Sequence, residues 1–394
     1  MFYVGIDIAK QNHEASIINI EGKLLCESLS FSNTEQGCQK FITMLERFGA
    51  NKVNTVIGME ATGHYWLNVY SYLLNLGYNL KVINPIQSEA FRKMYIRQTK
   101  NDSKDSFVIA QIMRFGQFST TALSDENIMA LRQLSRYRLS LVDECSDWKR
   151  KVITLLDQVF PEYSSLFSDT FGVTSKEMLL KYPTPEDMLA VSTKKLTSLL
   201  EKSSRGRFKT DKANEIKNCA KNSFGIKFAK DAFSFQIKQM IAQIIFIEGQ
   251  LAELEKEISK LLKETNQVIT TIIGIGEVLG GIIIGEIGDI SRFDSAPKLV
   301  AFAGLDVSVS QSGQFLGTQN KISKRGSPYL RRAIWTAATC AAFSDPALSQ
   351  YYQSLRNRGK HHLTAIGAVA RKLCNIIFAV LRDNKPYVPN CISS

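Results

Sequence analysis

The chain has 394 residues, 44% hydrophobic and 22% charged, enough for two or three domains with packed cores. Its net charge of +12 favours polyanionic partners and says nothing about fold. Seven scattered cysteines with no C-x-x-C pair exclude a disulfide framework and a zinc site, and a reducing cytoplasm fits.

The N-terminal stretch enters a strand pattern at once, with no signal-peptide composition. Phe2 to Ile8, His13 to Ile20 and Lys23 to Phe31 read as an antiparallel meander, with a turn at Glu21-Gly22. Thr34 to Phe48 has helical spacing, and Val53 to Met59 reads as a buried strand. Tyr65 to Leu76 is helical up to Gly77. Leu80 to Ile83 is a strand stopped by Asn84-Pro85, and Asp102 to Phe115 is helical. Three strands followed by alternating helix and strand predict a mixed sheet covered by helices, an α/β domain over residues 1–120.

Residues 121–265 are a helical region. Phe233, Ile237, Met240, Ile244, Ile247, Leu251, Leu254, Ile258 and Leu261 step by four and three, a heptad seam. An earlier seam runs Leu134, Leu141, Cys145, Trp148, Val152, Leu155 and Val159, broken by Arg138. The two could pair with each other or with another subunit. No chemistry is assigned to residues 161–230.

Residues 266–394 form a third, mainly helical unit. The apolar stretch from Ile269 to Ile290 is interrupted by Glu277 and Glu286 and does not read as a membrane span. The Gly274-Ile275-Gly276 turn could offer backbone N–H groups to a phosphate or join two helices tightly. A serine-rich segment covers Asp306 to Gly326, and helices follow over Pro328 to Phe343 and His362 to Arg382. From Thr318 to Lys385 there are twelve Lys/Arg against two Asp, so the positive charge is concentrated here.

Four acids stand out. Asp7 interrupts an apolar strand, which is costly without compensation. Glu60 ends a strand before a turn, where α/β sites are usually built. Asp102 and Asp105, three apart, share one helix face. Each alone has an ordinary explanation: a solvated strand end, a surface glutamate, or aspartates placed favourably in a first helical turn. Arg92, Lys93, Arg97 and Lys100 precede the aspartate pair, and Lys104 lies within it. Together the acids are a candidate Mg²⁺ site, since hard oxygen ligands suit that ion. Two ions about 4 Å apart could clamp the attacking and leaving oxygens of a phosphodiester.

Val4-Gly5-Ile6-Asp7, Glu60-Ala61-Thr62-Gly63, Val82-Ile83-Asn84-Pro85 and Lys100-Asn101-Asp102-Ser103-Lys104-Asp105 resemble the DEDD transposases of bacterial insertion sequences, the group described as bridge-RNA-guided recombinases. Ile273-Gly274-Ile275-Gly276, Phe302-Ala303-Gly304-Leu305, Ser312-Gly313, Ile322-Ser323-Lys324-Arg325-Gly326 and Leu330-Arg331-Arg332 follow in the family's order, as do Ala370-Arg371-Lys372-Leu373 and Val380-Leu381-Arg382. The resemblance implies an RNase H-like (RuvC-like) N-terminal domain, a helical coiled-coil linker and a C-terminal transposase domain. It implies that Asp7, Glu60, Asp102 and Asp105 are metal ligands and that Ser312 attacks a DNA phosphate to form a phosphoserine. It further implies donor and target DNA, a noncoding guide RNA and a tetramer in which one subunit's serine meets another's metal site. A cytoplasmic, nucleoid-associated protein without membrane contact is expected.

Bottom-up reading alone does not single out Ser312, because Ser308, Ser310, Ser323 and Ser327 are neighbours and only four histidines exist. Lys324, Arg325, Arg331, Arg332, Arg371 and Lys372 are the phosphate-contact candidates. Two departures from the family pattern are Asp306-Val307, where proline often follows, and a longer middle region. Two rival readings remain: a RuvC-like nuclease that hydrolyses branched DNA with the acids alone, and a nucleic-acid-binding assembly factor with a degenerate site.

Overall fold

The computed structural model describes residues 1–61, 63–83, 85–92, 102–116, 126–307, 311–312, 315–316 and 321–389, with only the backbone at 85–87, 92, 102–103, 311–312 and 315–316. The chain divides into two compact units, Met1–Leu123 and Ser124–Ser394.

The first unit is built on a five-stranded sheet. Its strands are β1 (Phe2–Asp7), β2 (Asn12–Asn19), β3 (Leu24–Ser32), β4 (Thr55–Glu60) and β5 (Asn79–Ile83), in spatial order β3-β2-β1-β4-β5. The meander pairs antiparallel, whereas β1–β4 and β4–β5 are parallel. This mixed sheet and strand order are those of an RNase H-like domain. The helices are α1 (Glu35–Arg47), α2 (Trp66–Asn75), α3 (Pro85–Arg92) and α4 (Asp102–Phe115). Thr34, the first residue of the stretch with helical spacing, caps α1 by accepting from the Gly37 amide.

Alternation along β1 sorts the sheet into two faces. Val4 and Ile6 join Ile57, Met59, Phe41, Leu45, Val69 and Leu73 in a core shared with α1 and α2. Tyr3 and Val56 point the other way, to Val108, Ile109, Ile112 and Met113 of α4. Gly5 lies on this second face, and a Cβ there would sit 2.0 Å from the Ser106 carbonyl oxygen and 2.4 Å from the Ala110 nitrogen. The helix backbone thus rests directly on β1. A hydrogen bond of 2.6 Å between the buried Ser16 and Ser106 hydroxyls fixes the same crossing.

The second unit begins with α5 (Glu126–Val159) and includes α6 (Val173–Lys181), α7 (Pro185–Ala190), α8 (Thr193–Ser203), α9 (Thr210–Lys221) and α10 (Lys230–Glu264). The two long helices pack on each other within one chain. Arg138 meets Glu255 at 2.6 Å and Lys149 meets Glu248 at 2.9 Å, so the pair is antiparallel. Arg138 breaks the apolar seam because it serves this ion pair. Ile241 and Leu262, off the heptad seam, are buried as well, because α10 also packs on α6 and the next helix.

That helix is α11 (Glu277–Ile287), followed by α12 (Ala296–Phe302), a short hairpin of β6 (Gln311–Ser312) and β7 (Phe315–Leu316), then α13 (Pro328–Ser344), α14 (Pro346–Asn357) and α15 (His362–Asp383). Three helices are not read from the sequence: α3, where Asn84-Pro85 serves as a strand stop, and α12 and α14, where no element is assigned. Each carries proline in its first turn, where the ring stops a preceding element and also presets helical φ. By length and composition α15 could cross a bilayer, yet 56% of that stretch is buried within the unit, where Ile366, Leu373 and Ile377 join the core. At Gly274 a Cβ would come 2.7 Å from the Ala337 carbonyl oxygen, so the glycine turn packs as a tight helix connection against α13.

Gly5→Ala is expected to cost about 1–3 kcal/mol of unfolding free energy, because backbone must move. Gly58→Ala should cost less, since the neighbour there is the flexible Met113 side chain. Urea unfolding of both variants checks the order, and equal small losses would contradict the close crossing.

Candidate active site

Asp7 and Glu60 end two neighbouring parallel strands. Ile6 pairs with Met59, so the two acids follow in adjacent register positions, about 5 Å apart by strand spacing. Each is two residues beyond a glycine, Gly5 or Gly58, whose missing Cβ faces α4. By the period of two, both acids lie on the face that α4 covers.

The direction of α4 decides which of its ends meets them. Arg114, in its last turn, lies against Gly22, and Gln111 donates to the Gly22 carbonyl at 3.5 Å. Gly22 adjoins Asn19, which pairs with Phe2 at the start of β1. The C-terminus of α4 therefore sits over the start of β1, and its N-terminus points to Asp7 and Glu60. Asp105 immediately precedes Ser106, the residue over Gly5. Asp102 is one turn further out, about 4.5 Å along the axis. Its side chain is outside the described atoms.

Glu60 is half-buried and accepts a 2.7 Å hydrogen bond from the buried Ser88 hydroxyl on α3. Ser88 is 28 residues away and carries no sequence signal for this role. Glu14 on β2 stands directly opposite Asp7 and was also not singled out by sequence; it accepts from Ser28 at 2.6 Å. The donor set at this end is all oxygen, and carboxylates from paired strands and a helix end fit a hard divalent cation. Among the described residues, no group of three His, Cys, Asp or Glu is close enough to form a metal cluster. Lys93, Arg97 and Lys100 lie outside the described residues, as does the side chain of Arg92.

In the second unit, Ser312 pairs with Phe315 in the β6–β7 hairpin, and its side chain is outside the described atoms. The base of this segment is firmly held. Val307 bridges to Ile322, the Ser323 amide donates to the Asp306 carbonyl at 2.8 Å, and the Ser327 amide donates to the Phe302 carbonyl at 2.9 Å. The Ser323 hydroxyl donates to the Asp306 carboxylate, which gives Asp306 a definite role in closing the segment. Gly304 and Gly326 have φ of +66° and +101°, and a Cβ on either would strike opposing backbone at 2.4 or 2.1 Å. The glycines of both motifs are therefore required by the closure of this loop.

The basic candidates divide. Arg331 donates to the Ala303 carbonyl at 3.3 Å, and Arg332 pairs with Asp143 at 2.8 Å. Lys372 stacks over Tyr351 at 4.6 Å. Lys324 and Arg325 are exposed, and Arg371 is partly exposed. Glu286, which in sequence only interrupts an apolar run, is 2% exposed. It accepts from Arg136 at 2.6 and 3.1 Å and from the Ser327 hydroxyl at 2.7 Å, joining α5, α11 and the start of α13. That hydrogen bond holds the Arg136 guanidinium above its ordinary pKa.

Glu286→Gln keeps the volume and removes the charge. It is expected to lower unfolding free energy by about 1–3 kcal/mol, nearer the lower figure because Arg136 is partly in water. Equilibrium urea unfolding reads this, and an unchanged midpoint would contradict the bridging role.

Two family models match the chain, one described as transposase over residues 4–161 and one as transposase of the IS116/IS110/IS902 family over residues 266–353. The pilin gene-inverting protein of Moraxella bovis is 25% identical over 98% of this chain and 97% of its own length. The uncharacterized 44.8 kDa protein of insertion element IS116 from Streptomyces clavuligerus is 23% identical, over 98% of this chain and 96% of that protein. Among solved structures, Thermus thermophilus RuvC is 15% identical and covers 31% of this chain and 100% of that one. Its TM-score of 0.23 is too low to carry an argument, so the RNase H-like assignment rests on strand order. Sequence matches at both ends of the chain, with relatives aligned along nearly all of it, support a DEDD transposase of the IS110 type: the protein is a DNA transposase/recombinase.

Proposed function

We propose that this transposase cuts and rejoins the DNA of a bacterial insertion sequence through a phosphoserine at Ser312, with Mg²⁺ held by Asp7, Glu60, Asp102 and Asp105. The observation that carries the reading is the convergence of the β1 and β4 ends with the N-terminus of α4 on one face of the sheet. Bound there, the cation would supply charge neutralisation for phosphate and lower the pKa of a coordinated hydroxyl.

The Ser312 oxygen attacks phosphorus and loses its proton. The bond from phosphorus to one sugar oxygen breaks, and that oxygen takes up a proton as the leaving hydroxyl. One phosphoester replaces another, so no bond energy is lost to water. A sugar hydroxyl of a second strand can then attack the phosphoserine, release the serine and restore a phosphodiester. The hairpin setting and pinned base of the 306–327 segment support Ser312 as the attacking group. Ser88 acts as a positioning residue for Glu60. In the proposed layout residues 1–120 carry the acids, 121–265 form a coiled-coil linker around the α5–α10 pair, and 266–394 carry the serine. Target choice is assigned to a noncoding guide RNA that pairs with donor and target DNA, and assembly to a tetramer, in the cytoplasm at the nucleoid. Lys324, Arg325 and Arg371 are the proposed phosphate contacts at the exposed rim.

The reading is tested by trapping the intermediate. Protein with its element's RNA, Mg²⁺ and labelled donor and target DNA is denatured and run on a gel. A labelled protein–DNA adduct is expected, absent in Ser312→Ala and in Asp105→Ala. Strand cleavage without an adduct would overturn the serine mechanism in favour of hydrolysis. Chelation with EDTA is expected to abolish both adduct and cleavage, and Mg²⁺ to restore them. Activity that persists in EDTA would remove the metal assignment.

A further inference from the structure

Behind the pinned loop the second unit gathers three arginines that no motif marks. Arg132 and Arg136 are one helical turn apart on α5, and Arg292 lies in the turn between α11 and α12. They face two carboxylates. Glu286 is spent on Arg136 and Ser327, and Asp289 on the amide and hydroxyl of Ser291 at 2.8 and 2.6 Å. The remaining guanidinium donors are largely unspent. Arg132 uses Nε to reach the Gly285 carbonyl at 2.7 Å, its one hydrogen bond among the described residues. Arg292 makes none among the described residues, and is held instead over the rings of Phe293 and Phe302 at 4.7 and 4.5 Å.

Arg132 and Arg292 are both partly buried, and each keeps guanidinium donors that no described residue takes up. Burial first, and then the charge of Arg132, hold Arg292 below its ordinary pKa; burial does the same to Arg132. Aromatic stacking fixes the plane of Arg292 while leaving its edge for an acceptor. Arg136 is similarly placed over Tyr329 at 4.7 Å. The acceptor that fits such a fork is a tetrahedral oxyanion, which offers two oxygens to a guanidinium and relieves the repulsion.

The position gives the anion its identity. Phe302, under Arg292, accepts from the Ser327 amide, and Ser327 donates to Glu286. The cluster is therefore braced against the base of the segment that carries Ser312. We propose that Arg132 and Arg292, with Arg136 as their brace, form a clamp for one backbone phosphate of the DNA strand handled at that segment. This rests on the reading of the C-terminal unit as the one that engages the cut strand.

The test is duplex DNA binding by the full chain, followed by fluorescence anisotropy over a series of NaCl concentrations. Each phosphate contact contributes about 0.9 to the slope of log affinity against log salt. Arg292→Gln is expected to bind more weakly across sequences and to flatten that slope by about one unit. Arg132→Lys keeps the charge and should keep the slope while losing affinity. Inorganic phosphate, added at constant ionic strength, should not compete appreciably if the site takes a strand; full competition at millimolar phosphate would overturn a DNA clamp in favour of a free-anion site. Thermal melting confirms that each variant is folded, and Arg132→Gln is read in the same way should Arg292→Gln melt below the assay temperature. A folded variant with the wild-type slope would overturn the clamp alone. A wild-type chain that binds no DNA at any salt would overturn the transposase reading and this ligand with it.

Discussion

The close passage of α4 across Gly5 is the constraint on which the N-terminal unit depends. With any larger residue at position 5, helix backbone and strand could not share that space. With Arg114 and Gln111 of its last turns held against Gly22, the first turn of α4 comes to lie above the ends of β1 and β4. Packing thus brings the start of α4, which carries the aspartates, over the ends of the two acid-bearing strands. The Ser16–Ser106 contact fixes the same crossing from the neighbouring strand.

A different device organises the second unit. Glu286 is a buried carboxylate that joins three helices through Arg136 and Ser327. Buried ion pairs are weak evidence for stability, since desolvation offsets much of the attraction. Here the arrangement also sets geometry, because Ser327 caps α13 and closes the loop that returns from Ser312. The arginines left over from this network are placed where a strand phosphate would be needed, so one set of contacts serves both loop closure and charge.

Much of the fold was legible in the sequence. Apolar runs and turn residues marked the five strands to within about two residues, and the helix over Asp102–Phe115 falls at the expected bounds. The mixed character of the sheet follows from three antiparallel strands succeeded by strand–helix alternation, but its strand order appears only in the structure. The proline at 85 reads in the sequence only as a strand stop, because the same residue ends one element and opens another. Asp7 was visible as a charge interrupting an apolar strand, Glu60 as a charge ending one, and Asp102 and Asp105 as a pair on one helix face. Ser88, Glu14 and Glu286 were not, because their partners are distant in sequence or their role appears only when elements pack. Ser312 could not be chosen from its serine neighbours by chemistry alone; only the order of flanking motifs points to it. Arg132 and Arg292 look like ordinary helix and turn charges until their stacking and unspent donors are seen.

The central claim is that carboxylates at the ends of β1 and β4 and the start of α4 hold a divalent ion together. Calorimetric titration of Mn²⁺ into the purified chain, beside Asp7→Asn and Asp105→Asn, tests it without any need for DNA or RNA. The account predicts saturable binding in the wild type that falls at least tenfold in affinity in each variant, with the fold intact by circular dichroism. Equal affinity in all three chains would contradict it.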